Sequence, residues 1–233
     1  MATIEFWPRI MLFDFDGVIV DSLEVKSEAF CDVFREEFPR AVDAIRAYTE
    51  ANGGISRMVK FAYIYEQVLG MPERAKDKKH LEELGEKFSK AVVDRIISMP
   101  LNEGVLEFLE KLQENNIPMY VVSGTPHEEL QLICRAKKLE HFFLGMFGSP
   151  AKKGKIIGDI LREHRFEESA RGDVYFIGDS INDFDGANEQ KINFIGYNFV
   201  HKGNSLRYDM RNDVDLSCRV KFITHFRELV LGR

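Results

Sequence analysis

Two acids, Asp14 and Asp16, stand two positions apart directly after the apolar run Ile10 to Phe13. An apolar run leading into a glycine, here Gly17, reads as a buried strand and the turn that ends it. Alternation along an extended chain points Asp14 and Asp16 to one side. Acids at the C-terminal tip of such a strand lie where open α/β sheets bind their ligands. Two carboxylates placed together repel. A small hard cation such as Mg²⁺ relieves that repulsion and suits an all-oxygen pocket. A proton held on one of them does the same and leaves an acid beside a nucleophile.

An isolated acid pair is ordinary at a solvated strand end, so the meaning of this one depends on whether complementary groups occur later in the chain. Tyr120 to Thr125 is a second apolar strand that ends in Ser123, Gly124 and Thr125. Lys152, Lys153 and Lys155 form a basic loop before the apolar helix carrying Ile156, Ile157, Ile160 and Leu161. Val174 to Asp183 is a third strand that runs into Asp179 and Asp183. Singly, Ser123 reads as a helix cap ahead of Pro126, the lysines as a solvated loop, and Asp179 or Asp183 as cap or turn residues. In this order they make a phosphoryl-transfer set, which requires a nucleophile, a metal and donors for the equatorial oxygens. Asp14 is the expected nucleophile, forming an aspartyl-phosphate. Asp16 is the expected acid toward the leaving group and base toward water. Ser123 and the Gly124 amide are the expected donors, a loop lysine supplies positive charge, and Asp179 and Asp183 complete the metal site.

These segments resemble the motifs of the haloacid dehalogenase superfamily of hydrolases. DxDG(T/V) corresponds to Asp14, Asp16, Gly17 and Val18. The strand-end hydroxyl corresponds to Ser123, and GDxxxD to Gly178, Asp179 and Asp183. The resemblance implies a Rossmann-like parallel sheet, Mg²⁺ held by the Asp14 side chain, the Asp16 carbonyl and Asp179, and hydrolysis of a phosphate ester. It favours Lys153 as the third-motif lysine over Lys152, with Lys155 as the fallback. The second acid of the first motif, Asp16, separates this chain from the dehalogenases themselves. Gly54-Ile55-Ser56-Arg57 resembles a cap loop of sugar-phosphate mutases, with Arg57 available to a second phosphate. The mutase histidine and lysine are absent, since Lys26 and Gly53 stand near those positions. The expected activity is therefore a Mg²⁺-dependent phosphatase acting on a small phosphorylated metabolite. The alternatives are a mutase or a catalytically silent phospho-ligand binder.

The remaining elements must position this set. Residues 23–98 carry helical stripes and no strand signal. One stripe is Ala29, Phe30, Val33, Phe34 and Phe38; another is Leu81, Leu84, Phe88, Val92 and Ile96. Helices are expected at 23–38, 41–50, 56–69 and 79–98, the last ended by Pro100. This stretch reads as a helical cap domain inserted into a core of residues 1–22 and 99–233. Ser56, Arg57 and Lys60, with Asn52, are expected to face the cleft and grip an acidic or doubly phosphorylated substrate. Beyond 99, helices near 104–115, 127 and 183 alternate with strands near 118–123, 144–147, 174–178 and 193–197. That alternation predicts an α/β fold with helices on both faces of a parallel sheet. The tail from 217 is expected to close as a helix.

Composition narrows the partners. The 233-residue chain is 45% hydrophobic and 30% charged, with a net charge of -6, which argues against general nucleic-acid binding. Lys76, Lys78, Lys79 and His80 read as a solvated turn. Three scattered cysteines, Cys31, Cys134 and Cys218, fit buried thiols in a reducing compartment. No leader or membrane-length apolar run is evident, so a cytoplasmic protein is expected. The nineteen phenylalanines read as core.

Overall fold

The computed structural model describes residues 3–199 and 220–232. Ten helices and strands place the site: β2 (Ile10–Phe13), α1 (Leu23–Arg35), α3 (Arg57–Tyr63), α5 (Lys78–Ser98), β3 (Met119–Pro126), α7 (His127–Ala136), α8 (Lys153–Glu163), β5 (Val174–Gly178), α9 (Ile181–Glu189) and β6 (Asn193–Tyr197). The others are β1 (Ile4–Phe6), α2 (Val42–Ala51), α4 (Pro72–Lys76), α6 (Val105–Glu114), β4 (Gly145–Ser149), β7 (Val220–Ile223) and β8 (Leu229–Leu231).

Six strands form one parallel sheet in the order β4-β3-β2-β5-β6-β7. The chain leaves β2 toward β3 and β4, then crosses back to β5 and proceeds outward to β7. The reversal therefore falls between β2 and β5, where doubly wound sheets open a ligand crevice. All four residues of β2 are buried, as expected for a central strand covered on both faces. Alternation divides them. Met11 and Phe13 pack with Val105, Phe108, Leu130 and Ile133 on one face. Ile10 and Leu12 pack with Ile156, Ile160, Phe184 and Ala187 on the other.

Between β2 and α6 the described chain is helical. Its centre is aromatic: Phe30 lies 4.5 Å from Phe88 and 5.1 Å from Phe61, ring centre to ring centre. The Phe30 and Phe34 stripe of α1 meets the Leu84 and Phe88 stripe of α5 in one cluster. The helix boundaries differ slightly from expectation. The first helix stops at Arg35 before a short turn at Pro39–Ala41, and α3 loosens after Tyr63 into a wider turn at Ile64–Val68. Lys76 ends one helix, and Lys78 to His80 begin the next, where Asp77 Oδ1 accepts from the His80 amide at 3.1 Å. The expected solvated turn between helices is thus a one-residue junction at Asp77, with Lys76, Lys78 and Lys79 exposed around it.

The expected closing helix is not present among the described residues. Val220–Ile223 extends the main sheet beside β6, and Leu229–Leu231 pairs in parallel with Ile4–Phe6. Between these strands Glu228 caps a short 3-10 turn at Phe226–Glu228: its Oε1 accepts from the Thr224 and His225 amides at 2.7 and 2.8 Å. Residues 217–219 and Cys218 lie outside the described residues; Cys31 and Cys134 are free and buried.

Candidate active site

The tips of β2 and β5 carry the acids. The Asp14 amide donates to the Ile177 carbonyl at 2.9 Å, so the ladder between these strands reaches the first acid. Its carboxylate is locked at one oxygen by the Phe15 amide, at 2.7 Å. One carboxylate oxygen from each of Asp14, Asp179 and Asp183 lies within 4.8 Å of the others, and all three residues are buried. Glycine at position 178 makes this possible. A Cβ there would stand 2.3 Å from the Asp183 Cβ, so only glycine lets the first turn of α9 fold back under the strand.

Lys153 is the ammonium of this cluster. It is the first residue of α8 and 4% exposed. Its Nζ lies 3.0 Å from Asp14 Oδ2 and also bonds Asp183 Oδ1. Lys152 is exposed, and Lys155 pairs with Asp159 on the outer face of the helix at 2.7 Å. Helical periodicity separates the three. Lys153 shares the buried face with Ile156, Ile157 and Ile160, whereas Lys155 points away from it. Asp183 is fully engaged: besides Lys153, its Oδ2 accepts from the Ser180 amide at 3.0 Å and the Ser180 hydroxyl at 2.6 Å. It orients the lysine and caps α9. Burial, and next the Asp183 charge, push the Asp14 carboxyl well above the usual carboxylate range, against the pull of Lys153. Burial alone would lower Lys153, but Asp14 and Asp183 hold it above the usual lysine range.

The surroundings of Asp16 differ. Ser22 donates to its Oδ1 at 2.6 Å, and Thr125 donates to its Oδ2 at 2.7 Å. The Lys26 ammonium, from the first turn of α1, bonds the same oxygen and also donates to Thr125 Oγ1 at 2.7 Å. Burial opposes ionisation here, yet Lys26 and these hydroxyls hold the Asp16 carboxyl at about 2. Ser123 is buried, 3.4 Å from Asp16 Oδ2, and accepts from the Thr125 amide at 3.1 Å. Lys26, Ser22 and Thr125 were not expected as site residues. Thr125 had a signal, since it lies two positions beyond Ser123 on the same side of the strand. Lys26 had only a weak one, its place one turn past Ser22.

A cavity of about 420 Å³ opens above Asp14, Asp16 and Gly124, roofed by the helices between β2 and β3. The loop between α2 and α3 lies against the strand tips. The Gly54 carbonyl accepts from Asn182 Nδ2 at 2.8 Å, and a Cβ on Gly124 would stand 2.5 Å from that same carbonyl oxygen. Of the residues expected to face the cleft, Arg57 and Lys60 line the cavity; Asn52 and Ser56 do not. Asn52 instead bonds back to the Tyr48 carbonyl at 2.8 Å. Arg57 is already engaged. Its guanidinium bonds Glu129 of α7 and Ser89 of α5, the latter at 2.6 Å, and Ser89 donates to Glu129 at 2.6 Å. The Lys60 Nζ donates to the Thr49 carbonyl in the last turn of α2 at 3.1 Å. Burial, with Lys26 close by, pushes the Lys60 ammonium down to about 8.

The comparisons agree with this architecture. The family model described as haloacid dehalogenase-like hydrolase matches residues 11–197. A hydrolase from Pseudomonas syringae superposes with a TM-score of 0.72 at 18% identity, covering 94% of each chain. A candidate phosphoglycolate phosphatase from Lactobacillus delbrueckii subsp. bulgaricus gives 0.68 at 17% identity, covering 96% of this chain and 97% of that one. A haloacid dehalogenase-superfamily hydrolase from Ehrlichia chaffeensis gives 0.56 at 20%, covering 98% and 95%. A comparison with curated proteins found no match. No described helix is long and apolar enough to cross a membrane. The sheet order, the acids at its reversal point and the match over most of the chain lead to one conclusion: the chain belongs to the haloacid dehalogenase-like hydrolases.

Proposed function

We propose that this hydrolase is a Mg²⁺-dependent phosphatase that cleaves a small phosphorylated metabolite through a phosphoryl-Asp14 intermediate. One observation carries the proposal. Asp14, Asp179 and Asp183 converge at the strand tips where Lys153 brings one positive charge to two of them. The donors are all oxygens, and burial, followed by the Asp183 charge, pushes Asp14 toward protonation. A small hard divalent cation fits this deficit. The Asp14 and Asp179 carboxylates, with the Asp16 carbonyl, would hold it. When bound, such an ion neutralises charge on the phosphoryl oxygens.

The chain's own groups account for the rest. Asp14 attacks phosphorus as the ester P–O bond breaks, and the departing oxygen takes a proton from Asp16. Water then attacks the same phosphorus, its proton passes to Asp16, and Asp14 is released. Lys153 and the amide of Gly124 offset charge on the transferring group. Asp16 is ionised in the described arrangement, which suits the water step. The first step requires it to take up a proton and exchange Lys26 for the ester oxygen, so the Lys26 side chain must leave that oxygen when substrate enters. On this reading residues 23–98 are the cap domain, and their closure keeps stray water from the acyl phosphate.

Phosphate release across a panel of phosphorylated metabolites, with Mg²⁺ and with a chelator, tests the proposal. Release that needs both Mg²⁺ and Asp14 supports it. Isomerisation of a phosphosugar without release would favour a mutase. No turnover of any ester would favour a silent ligand-binding protein.

A further inference from the structure

The charged groups around the cavity are not equally free. Asp16 is matched by Lys26. Arg57 is matched by Glu129, a buried carboxylate that reaches it from α7, and Ser89 bonds both partners. This triad fixes α3 against α5 and α7, so Arg57 is a positioning residue and its charge is already taken. Lys60 differs. It is 7% exposed, lines the cavity and makes no salt bridge among the described residues. A buried ammonium without a counter-ion in contact is costly, and its one acceptor among the described residues is the Thr49 carbonyl. Two of its three N–H donors are left for a ligand.

The rest of the wall limits that ligand. Glu24 and Glu50 also line the cavity and oppose a second doubly charged group; Arg46, which lines it too, is held by Glu28 and offsets Glu50 only from 3.9 Å. Phe30, Ile55 and Phe88 give the wall an apolar surface, and the Lys60 Nζ stands 5.3 Å from the centre of the Phe30 ring. At about 420 Å³ the cavity falls in the lower part of the range for small-ligand sites, roughly 300–1,000 Å³.

We infer that the substrate is the phosphate ester of a hydroxy acid, with its single carboxylate on Lys60 and an apolar carbon skeleton against Phe30 and Phe88. This deepens the phosphatase reading and rests on it for the phosphate end alone. The inference also removes the doubly phosphorylated substrates that a free Arg57 would have admitted.

The test compares three esters: a phosphorylated hydroxy acid with an aromatic or branched skeleton, its primary carboxamide, and the bisphosphate of the matching diol. Affinities are measured by calorimetry on the full-length Asp14→Asn protein with Mg²⁺, so that no ester is consumed. The acid ester should bind at least about tenfold tighter than the carboxamide, the scale of one charge-assisted hydrogen bond. In the Asp14→Asn, Lys60→Met protein the two should bind within about twofold of each other, and Lys60→Arg should keep part of the preference. Reading a ratio within each protein removes any general loss of fold or affinity. Equal binding of acid and carboxamide, a preference that survives Lys60→Met, or tighter binding of the bisphosphate would overturn the inference. If the wild-type protein released phosphate from none of the three, the phosphatase reading would suffer, while the binding ratios would still decide this one.

Discussion

Lys60→Met should make the ligand-free protein more stable. The fall of the Lys60 ammonium from 10.5 to about 8 is worth about 3 kcal/mol at neutral pH. Methionine fills a similar volume without charge but gives up the bond to the Thr49 carbonyl, a loss of about 1 kcal/mol. The net gain at pH 7 is therefore about 2 kcal/mol, a rise in Tm of roughly 4–8 °C for a chain of this size. The pH dependence fixes the cause. Below about 8 the lysine is charged in both the folded and the unfolded chain, so the full penalty applies. Between about 8 and 10.5 the unfolded chain keeps a proton that the folded chain has released, so wild-type stability rises with pH across that window. The variant lacks this rise, and its advantage should shrink to nothing or reverse by the upper end. Urea unfolding of both proteins at pH 7, 9 and 10.5, in chelator and without ligand, measures the difference. A variant that is less stable at pH 7, or an advantage that does not change with pH, would refute the reasoning.

Three further outcomes are expected. Glu129→Ala strands the buried Arg57 charge and should cost about 3–5 kcal/mol in urea unfolding, whereas Arg57→Met with Glu129→Leu should recover most of that loss. Gly124→Ala sets a Cβ 2.5 Å from the Gly54 carbonyl oxygen; it should displace the α2–α3 loop, cost about 1–3 kcal/mol in thermal melting and raise KM in a phosphate-release assay. Mg²⁺ at a hundred times its dissociation constant should stabilise the protein by about 2.7 kcal/mol, a gain that Asp179→Ala should abolish when melting is followed with and without the ion.

The parts of the site set by local pattern were legible in the sequence. Asp14 and Asp16 come after a strand whose every residue is apolar, and the alternation of helix and strand predicted the parallel sheet. The family resemblance favours Lys153 over Lys155, and the structure sets Lys153 on the buried helical face of Ile156 and Ile160. Contacts between distant segments could not be read. Arg57 and Glu129 are 72 positions apart, and nothing near Arg57 shows that its charge is already matched. Lys26 meets Asp16 only because α1 turns back over the strand tip. The tail misled for a different reason. Phe222, Phe226 and Leu229 recur at helical spacing, but two short strands flanking a turn produce the same spacing. The turn depends on Glu228 bonding back to Thr224 and His225. Ile4–Phe6 is too short a run to show a period, and its partner strand lies at the far end of the chain.

The most direct test is to mix the enzyme with Mg²⁺ and a phosphate ester it cleaves, quench in acid within one turnover, and map the peptides by mass. A phosphoryl group should appear on the peptide carrying Asp14, and Asp14→Asn should lose both that label and turnover by about a thousandfold or more. Rapid phosphate release with that peptide unmodified at every time point, or an Asp14→Asn protein that still turns over at the wild-type rate, would contradict the account.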